Sequence, residues 1–512
     1  MENVNLGQVF AACTRSFPDK IYAVIDDKEI TYKQTNERVN KLVNGLRSMG
    51  YKKGTHASMW GFASQQFVEL WWAIAKGGIV FSCINPRYIT HGAVEQCNHS
   101  DCQILFFDEE YLDMVKSAKS QLEKVTLYVI IGEKRVDGMY NYEDIVAKGS
   151  PEEPPEEAFT KDEELQLIMY TGGTTGTPKG TVKTHGGTLW FPIQMTQNVH
   201  FDRYSTCANI FPLHHFGGEV FVHSIGYNGG TIVLQRRFDP VELLKLAHRY
   251  KADTISGVNT ALFALTRVPD EIKSKLDFSN VTTVFASGEF LKGMTVSALR
   301  AMFPNVKKIL HAYMYSECPG ATYIDLMKEP GKAESCVGKL SFGTDGYIGD
   351  EEGNELPKGQ SGLFWGRCGA NTLEFWKNPG LTQKNIKNGY STAEDIMSQD
   401  DENYFYFLDR SSDFVCTGGE NVSTLKVESI IYENSKVAEA AVVGLPDEKW
   451  GQVVTAFITL KAGQECTEEE IIAHCRKKLA GFETPKSVRF IEEIPKTAVG
   501  KINKKQLRQL CQ

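Results

Sequence analysis

Tyr170-Thr171-Gly172-Gly173-Thr174-Thr175-Gly176-Thr177-Pro178-Lys179-Gly180 follows directly on the apolar run Leu165-Gln166-Leu167-Ile168-Met169. Glycines let backbone amides approach a polyanion closely, threonine hydroxyls add donors, and Lys179 adds a positive charge. The chemical reading is a phosphate loop delivered by a strand. It is not of the Walker kind, because the Gly-x-x-x-x-Gly-Lys-Ser/Thr order is missing, and no dinucleotide fingerprint opens the chain.

Outward from the loop, strands alternate with helices. Val39, Leu42, Val43 and Leu46 recur at i, i+3, i+4, i+7 on one helical face, and Gly50 is the expected stop. The runs Gln103–Phe107 and Leu127–Ile131 are short, β-branched or aromatic, and bounded by charged turns, as strands are. Leu70 to Ile84 is too short to span a bilayer and reads as a buried helix running into a strand. The pattern predicts an α/β protein with a large multi-layer N-terminal domain. Ser150-Pro151-Glu152-Glu153-Pro154-Pro155-Glu156-Glu157 reads as a solvated connector. After Asp409-Arg410-Ser411-Ser412-Asp413 comes a small, mobile α+β piece. It has a helix near Leu425–Tyr432, a strand Ala438–Gly444, a helix near Ile471–Leu479 and a strand Val488–Ile491. Thr467 and Glu470 stand at capping-box spacing before its second helix. The expected domains are 1–411 and 412–512.

The 512 residues are 42% hydrophobic and 23% charged, with net charge -8, which suits an ordinary globular protein and argues against general nucleic-acid binding. The acidity is uneven: residues 1–412 carry 42 basic and 50 acidic side chains, whereas residues 476–512 carry 10 basic and 3 acidic. That cationic terminus suits small polyanions. Twelve cysteines lie singly along the chain, and Met1-Glu2-Asn3-Val4 opens no charged-then-apolar leader, so a reducing cytoplasm is the expected compartment. Cys97, His99 and Cys102 invite a zinc reading, but no second pair with structural-zinc spacing follows, and unpaired thiols are expected.

Nearly the whole chain resembles the adenylate-forming acyl-CoA synthetases, related to firefly luciferase and to the adenylation domains of peptide synthetases. Their phosphate loop reads Tyr-Thr-Ser-Gly-Thr-Thr-Gly-x-Pro-Lys-Gly, with Gly172 here in place of serine. Thr31-Tyr32, Gly50 and Asn85-Pro86 match thinner landmarks. By this resemblance Thr171, Gly172, Gly173, Thr174, Thr175 and Lys179 bind ATP phosphates. Pro212-Leu213-His214-His215-Phe216-Gly217-Gly218 resembles Pro-x-x-His-x-x-Gly, which makes His215 the histidine beside the acyl pocket. A rival likeness, to the His-His-x-x-x-Asp of acyltransferases, has Glu219 for Asp and Val220 for the following glycine. Gly288-Glu289-Phe290 resembles the adenine turn. His311-Ala312-Tyr313-Met314-Tyr315-Ser316-Glu317 resembles Tyr-Gly-x-Thr-Glu, with Tyr313 stacking on adenine, Ser316 meeting the α-phosphate and Glu317 holding Mg²⁺. Met314 stands where the family has glycine.

Further along, the resemblance makes Asp395 the ribose ligand, in Ala393-Glu394-Asp395 where the family has Thr-Gly-Asp. Arg410 contacts ribose and phosphate, and Ser412 is the hinge, where Asp or Lys is usual. Gly418, Gly419 and Glu420 line the coenzyme A route, and Lys501 in Pro495-Lys496-Thr497-Ala498-Val499-Gly500-Lys501 is the catalytic lysine. The acyl pocket is expected to draw on His214, Glu219, Gly257, Ala312 and Met314, with Glu219 either meeting a cationic tail or facing away.

The implied chemistry is ATP-dependent activation of a small carboxylic acid to an acyl adenylate, then transfer to coenzyme A, with Mg²⁺ assisting. Two alternatives are transfer to a carrier-protein thiol, for which no carrier domain follows residue 512, and an inactive nucleotide-binding homologue. Retention of Lys179, Glu317, Asp395 and Lys501 argues against the last. No integral membrane segment is expected, and the chain is a monomer or homodimer.

Overall fold

A computed structural model describes residues 4–155, 160–171, 179–291, 293–332, 335–410, 415–417, 420–447, 450–496 and 502–510. Packing divides the chain into two units: Met1–Gly346 with Gly366–Ser391, and Tyr347–Trp365 with Thr392–Gln512. They are a large N-terminal and a smaller C-terminal domain.

The large unit holds two sheets. The first is built on parallel strands in the spatial order Ile21–Ile25, Thr231–Leu234, Thr206–Asn209, Thr254–Gly257, Thr283–Ser287 and Lys308–Tyr313. Lys28–Thr31 pairs antiparallel at one end, and at the other side of the parallel block Thr322–Asp325 pairs antiparallel and carries Cys336–Leu340 beyond it. The second runs Tyr140–Asn141, Leu127–Ile131, Ile104–Asp108, His56–Trp60, Val80–Ile84 and Leu165–Thr171, all parallel, and closes with antiparallel Lys179–Thr184. Parallel strands need helical crossovers that cover both faces, which explains the continuous apolar runs. Ile104–Asp108 and Leu127–Ile131 are buried at every position.

Helices Leu6–Ser16, Gln65–Gly77 and Phe216–Asn228 pack on one another between the sheets. Trp72 stacks on Phe10 at 4.1 Å and donates through Nε1 to Tyr22 Oη of the first sheet at 2.8 Å, while Trp71 meets Phe81 of the second edge-on at 5.2 Å. Such aromatic pairs each add about 0.5–1.5 kcal/mol beyond the area they bury. Helix Tyr32–Ser48 buries Val39, Leu42, Val43 and Leu46, and Gly50 beyond its end is left-handed, φ +94°. The acidic connector is solvated as read, with Ser150, Pro151, Glu152, Glu153 and Pro155 exposed, but it is also pinned to the body. Lys76, almost wholly buried, donates to Glu153 at 2.6 Å, and Asn36 and Asn40 add bonds at 2.9 and 3.2 Å. A buried ammonium needs a carboxylate, and the connector supplies it. Glu156 and Glu157 lie outside the described residues. No helix among the described residues is long and apolar enough to cross a membrane.

In the smaller unit, Val437–Asp447 and Gly451–Leu460 form a long antiparallel pair, extended by Val415–Thr417, Glu420–Val422 and parallel Ser487–Phe490. Strand alternation sends Ala440 and Val442 to one face and Ala441 and Val443 to the other. The first face packs under Val427 and Ile431 of helix Thr424–Tyr432 and Ile471 and Cys475 of helix Glu468–Arg476. The second packs under Ile494 and Leu507. Thr467 caps its helix by accepting from Glu470 N at 3.3 Å, but the Glu470 carboxylate pairs with Lys436 at 2.8 Å, so the reciprocal half of the expected capping box is spent on an ion pair.

Candidate active site

In the large unit, the residues singled out around nucleotide and acid lie at the carboxyl ends of neighbouring parallel strands. His214 and His215 follow Thr206–Asn209, and Gly257 ends its strand. Gly288, Glu289 and Phe290 follow Thr283–Ser287, while Ala312 and Tyr313 end Lys308–Tyr313 and lead to Met314, Ser316 and Glu317. The registers Asn209↔Ser256, Gly257↔Ala286 and Ser287↔Ala312 level those ends along one edge. Neighbouring strands are about 4.8 Å apart, so residues distant in sequence share one crevice, the usual ligand position in open α/β sheets.

Gly288 turns with φ +80°, which a side chain would strain. The Glu289 carboxylate accepts from Thr260 N at 2.9 Å, and its carbonyl bonds His311 Nε2 at 3.2 Å. A carbonyl only accepts, so His311 carries its proton on Nε2 there, and burial pushes its pKa down to about 4. Tyr313 lies 5.4 Å from Tyr315, whose hydroxyl donates to Ser391 O at 2.9 Å. The rings of His214 and His215 are 4.2 Å apart, and burial, then the neighbouring His215, holds His214 well below the usual histidine range. The Met314 backbone is not left-handed, and its Sδ lies 4.0 Å from Tyr323 Oη. Glu219 is fully buried and accepts from His223 Nδ1 at 2.6 Å, while His223 Nε2 reaches Trp71 O at 3.2 Å. One carboxylate oxygen is thus engaged by its own helix, while Oε2 is buried without a hydrogen-bond partner among the described residues.

The strand leaving the phosphate loop, Lys179–Thr184, is stitched to this edge. Val182 N donates to Thr372 Oγ1 at 2.9 Å, and Thr372 N donates to Glu317 O at 2.8 Å. Lys183, buried, donates to Ala370 O at 2.8 Å and to Glu317 O at 3.3 Å, and loss of solvent brings its pKa down to about 8. On the other side of the loop, Tyr170 Oη shares a 2.8 Å bond with His99 Nδ1. The sequence carries no sign of Lys183 or of this Tyr170–His99 pair, and marks His223 only as a polar neighbour of the acyl pocket. The i, i+4 spacing of Glu219 and His223 on an otherwise apolar helix was the one available signal. Among the described residues no cluster of three His, Cys, Asp or Glu side chains is placed to hold a metal. Glu317, at 9% exposure, offers a hard carboxylate beside the phosphate-loop strand. That fits Mg²⁺, which takes one or two carboxylates together with substrate phosphates.

In the smaller unit Asp395 is buried at the start of strand Asp395–Gln399, with Glu394 before it at φ +62°. The left-handed backbone accounts for the glycine that the family has there. Thr417 and Glu420 pair across the hairpin that carries the expected coenzyme A loop, and Lys496 bridges Ile502 on either side of the expected lysine loop. Gly172, Gly173, Thr174, Thr175, Ser412, Gly418, Gly419 and Lys501, with the side chains of Thr171, Arg410 and Glu420, lie outside the described residues.

A sheet–helix–sheet body with a nucleotide-type crevice, followed by a small α+β domain, defines an adenylate-forming enzyme. The AMP-binding enzyme family model matches residues 10–374 and the AMP-binding enzyme C-terminal domain model matches residues 426–501, and the chain belongs to this family. It is an AMP-forming acyl-CoA synthetase, which activates a carboxylic acid as its acyl adenylate and passes the acyl group to coenzyme A. Feruloyl-CoA synthase of Amycolatopsis sp is 28% identical over 99% of both chains, and the peroxisomal trans-cinnamate:CoA ligase of Petunia hybrida 26% identical over 97% of this chain and 92% of its own. In fold, the chain matches the anthranilate CoA ligase AuaEII in complex with anthranoyl-AMP with a TM-score of 0.89 at 22% identity, covering 100% of this chain and 98% of that one.

Proposed function

We propose that the crevice along the strand ends binds ATP and the acid, and that Lys501 brings them to reaction. The observation that carries this reading is the convergence of Gly288–Phe290, Tyr313–Glu317 and the phosphate-loop strand on one edge. The acid carboxylate attacks the α-phosphorus; a new P–O bond forms and the bond to pyrophosphate breaks. Both partners are anionic, so cations and fixed dipoles must lower their repulsion and hold the attack in line. Lys501 and Lys179 supply charge, the phosphate-loop amides supply dipoles, Ser316 meets the α-phosphate and Tyr313 flanks adenine. Asp395 and Arg410 hold the ribose. Bound at Glu317, Mg²⁺ would supply charge neutralisation for the phosphates.

AMP is a good leaving group, so the coenzyme A thiolate then adds to the acyl carbon and the C–O bond to AMP breaks. Lys501 must stand at the acid in the first step and leave before the thiol arrives, which is the physical reason for a hinge at Ser412 between 1–411 and 412–512. Gly418, Gly419 and Glu420 then line the thiol's route, and His215 borders the acyl group throughout. The compartment proposed is the reducing cytoplasm, where unpaired thiols persist. The names of two relatives put arylpropenoic acids first in a substrate panel. The division of labour is tested with Lys501→Ala: adenylation falls by roughly 10²-fold or more, while thiolysis of supplied acyl adenylate survives. Equal loss in both half-reactions would overturn the role.

A further inference from the structure

The charge of Lys183 has no use in the chemistry described so far. It lies three residues beyond the phosphate-loop glycine Gly180, on strand Lys179–Thr184, with 1% of its surface exposed. Among the described residues no carboxylate stands within ion-pair distance of its Nζ. The ammonium donates instead to the carbonyls of Ala370 at 2.8 Å and Glu317 at 3.3 Å, and its remaining side faces the Phe216 ring at 5.9 Å. Glu317 and Glu219 act on it only electrostatically and at longer range, and burying a cation with neutral carbonyls as its direct partners costs stability compared with an apolar side chain of the same length. The arrangement therefore calls for a function that needs the charge.

Its geometry supplies one. Lys183 is covalently tied to the strand that leaves the phosphate loop, and its ammonium grips the backbone of the carboxylate residue at the far side of the crevice. Thr372 makes the same junction from a third segment, donating from N to Glu317 O at 2.8 Å while its hydroxyl accepts from Val182 N at 2.9 Å. Thr372 alone joins the two through neutral bonds. The lysine adds charge-assisted bonds, which are about twice as strong as neutral ones.

We propose that Lys183 is a positioning residue that holds strand Lys179–Thr184 against the backbone of Glu317, and so sets the Mg²⁺ requirement of adenylation. The proposal rests on the reading of Glu317 as the metal carboxylate. Partners that orient a metal ligand typically change metal affinity 10–100-fold when removed. Lys183→Met keeps the length and apolar stem and removes the donors, and Lys183→Gln is the second variant should the first fail to fold.

The test measures the Mg²⁺ concentration for half-maximal ATP–pyrophosphate exchange, together with Mg²⁺-dependent ATP binding by calorimetry, in the wild type, Lys183→Met, Glu317→Gln and the double variant. The expected result is a roughly tenfold or larger rise in the Mg²⁺ requirement in each single variant, an unchanged KM for the acid in Lys183→Met, and little further shift in the double variant. Independent effects that simply add in the double variant, or an unshifted Mg²⁺ requirement in Lys183→Met while Glu317→Gln shifts it, overturn the positioning role. An unshifted requirement in Glu317→Gln overturns the reading of Glu317 itself.

Discussion

Glu394 holds a left-handed backbone, φ +62°, immediately before the buried Asp395. That conformation costs a side-chain-bearing residue roughly 1–2 kcal/mol, partly offset by the greater freedom glycine gains on unfolding. Glu394→Gly is therefore expected to raise stability by about 0.5–1 kcal/mol in urea denaturation; a loss of stability would contradict the strain. Two buried histidines bear on pH. His185 and His311 are each pushed from 6.5 down to about 4 by burial. The unfolded chain takes up protons there before the folded chain does, so their contribution is whole above about pH 6.5 and is lost as pH falls towards 4. The thermal midpoint should fall through that window and fall less steeply in His311→Gln, which keeps a donor for Glu289 O. A midpoint that is flat in pH would count against the buried neutral forms. Sequence motifs singled out the phosphate loop, His215, Glu317, Asp395 and Lys501 as candidates because the proposed chemistry demands fixed residue types at short spacings. Lys183 was not legible, because a lysine in a strand three residues past a motif looks like any surface charge. Only the fold brings Ala370 and Glu317 to it.

Periodicity made the elements readable wherever one segment buries one face, as in Tyr32–Ser48, Ile104–Asp108 and Leu127–Ile131. It did not reveal what long-range partners do to an element's ends. The acidic connector is held through Glu153 by a lysine 77 positions earlier, and the Glu470 half of a capping box goes to Lys436. Helix Thr424–Tyr432 gives another instance: besides its own Ser423 cap, Asp409 Oδ2 accepts from Thr424 N and Thr424 Oγ1, both at 2.7 Å. Asp409→Ala is expected to cost about 1–2 kcal/mol, in the range of a lost cap or a charged hydrogen bond, measured by urea denaturation of the whole chain. A change within the error of the measurement would show that Ser423 caps the helix alone. Met314 belongs to the same scale, because its side chain follows the strand end towards Tyr323 and takes space that glycine leaves open. Met314→Gly should shift kcat/KM towards bulkier acids across a graded panel, and an unchanged ranking would remove Met314 from the pocket wall.

Across the whole molecule, alternating strands and helices around a phosphate loop were enough to announce an α/β body, since parallel strands need crossovers and leave their ligands at the carboxyl edge. The existence of a separate small domain was legible from its own apolar faces. Where the packing units divide was not, because residues 347–365 and 392–410 join the smaller unit through pairings such as Gly362↔Met397 that no local pattern encodes. The uneven charge gained meaning once the cationic last stretch was seen to flank Lys501, the group proposed to meet two anions. The central claim is that one chain both makes an acyl adenylate and delivers it to coenzyme A. The most direct measurement is ATP–pyrophosphate exchange over a panel of aryl and aliphatic acids, with coenzyme A thiol consumption followed on the same samples. The expected result is exchange that requires an acid but not coenzyme A, and, once coenzyme A is added, one thiol consumed for each AMP released. Acid-dependent exchange without thiol consumption would point to a carrier-protein acceptor, and absence of exchange with every acid would contradict the claim outright.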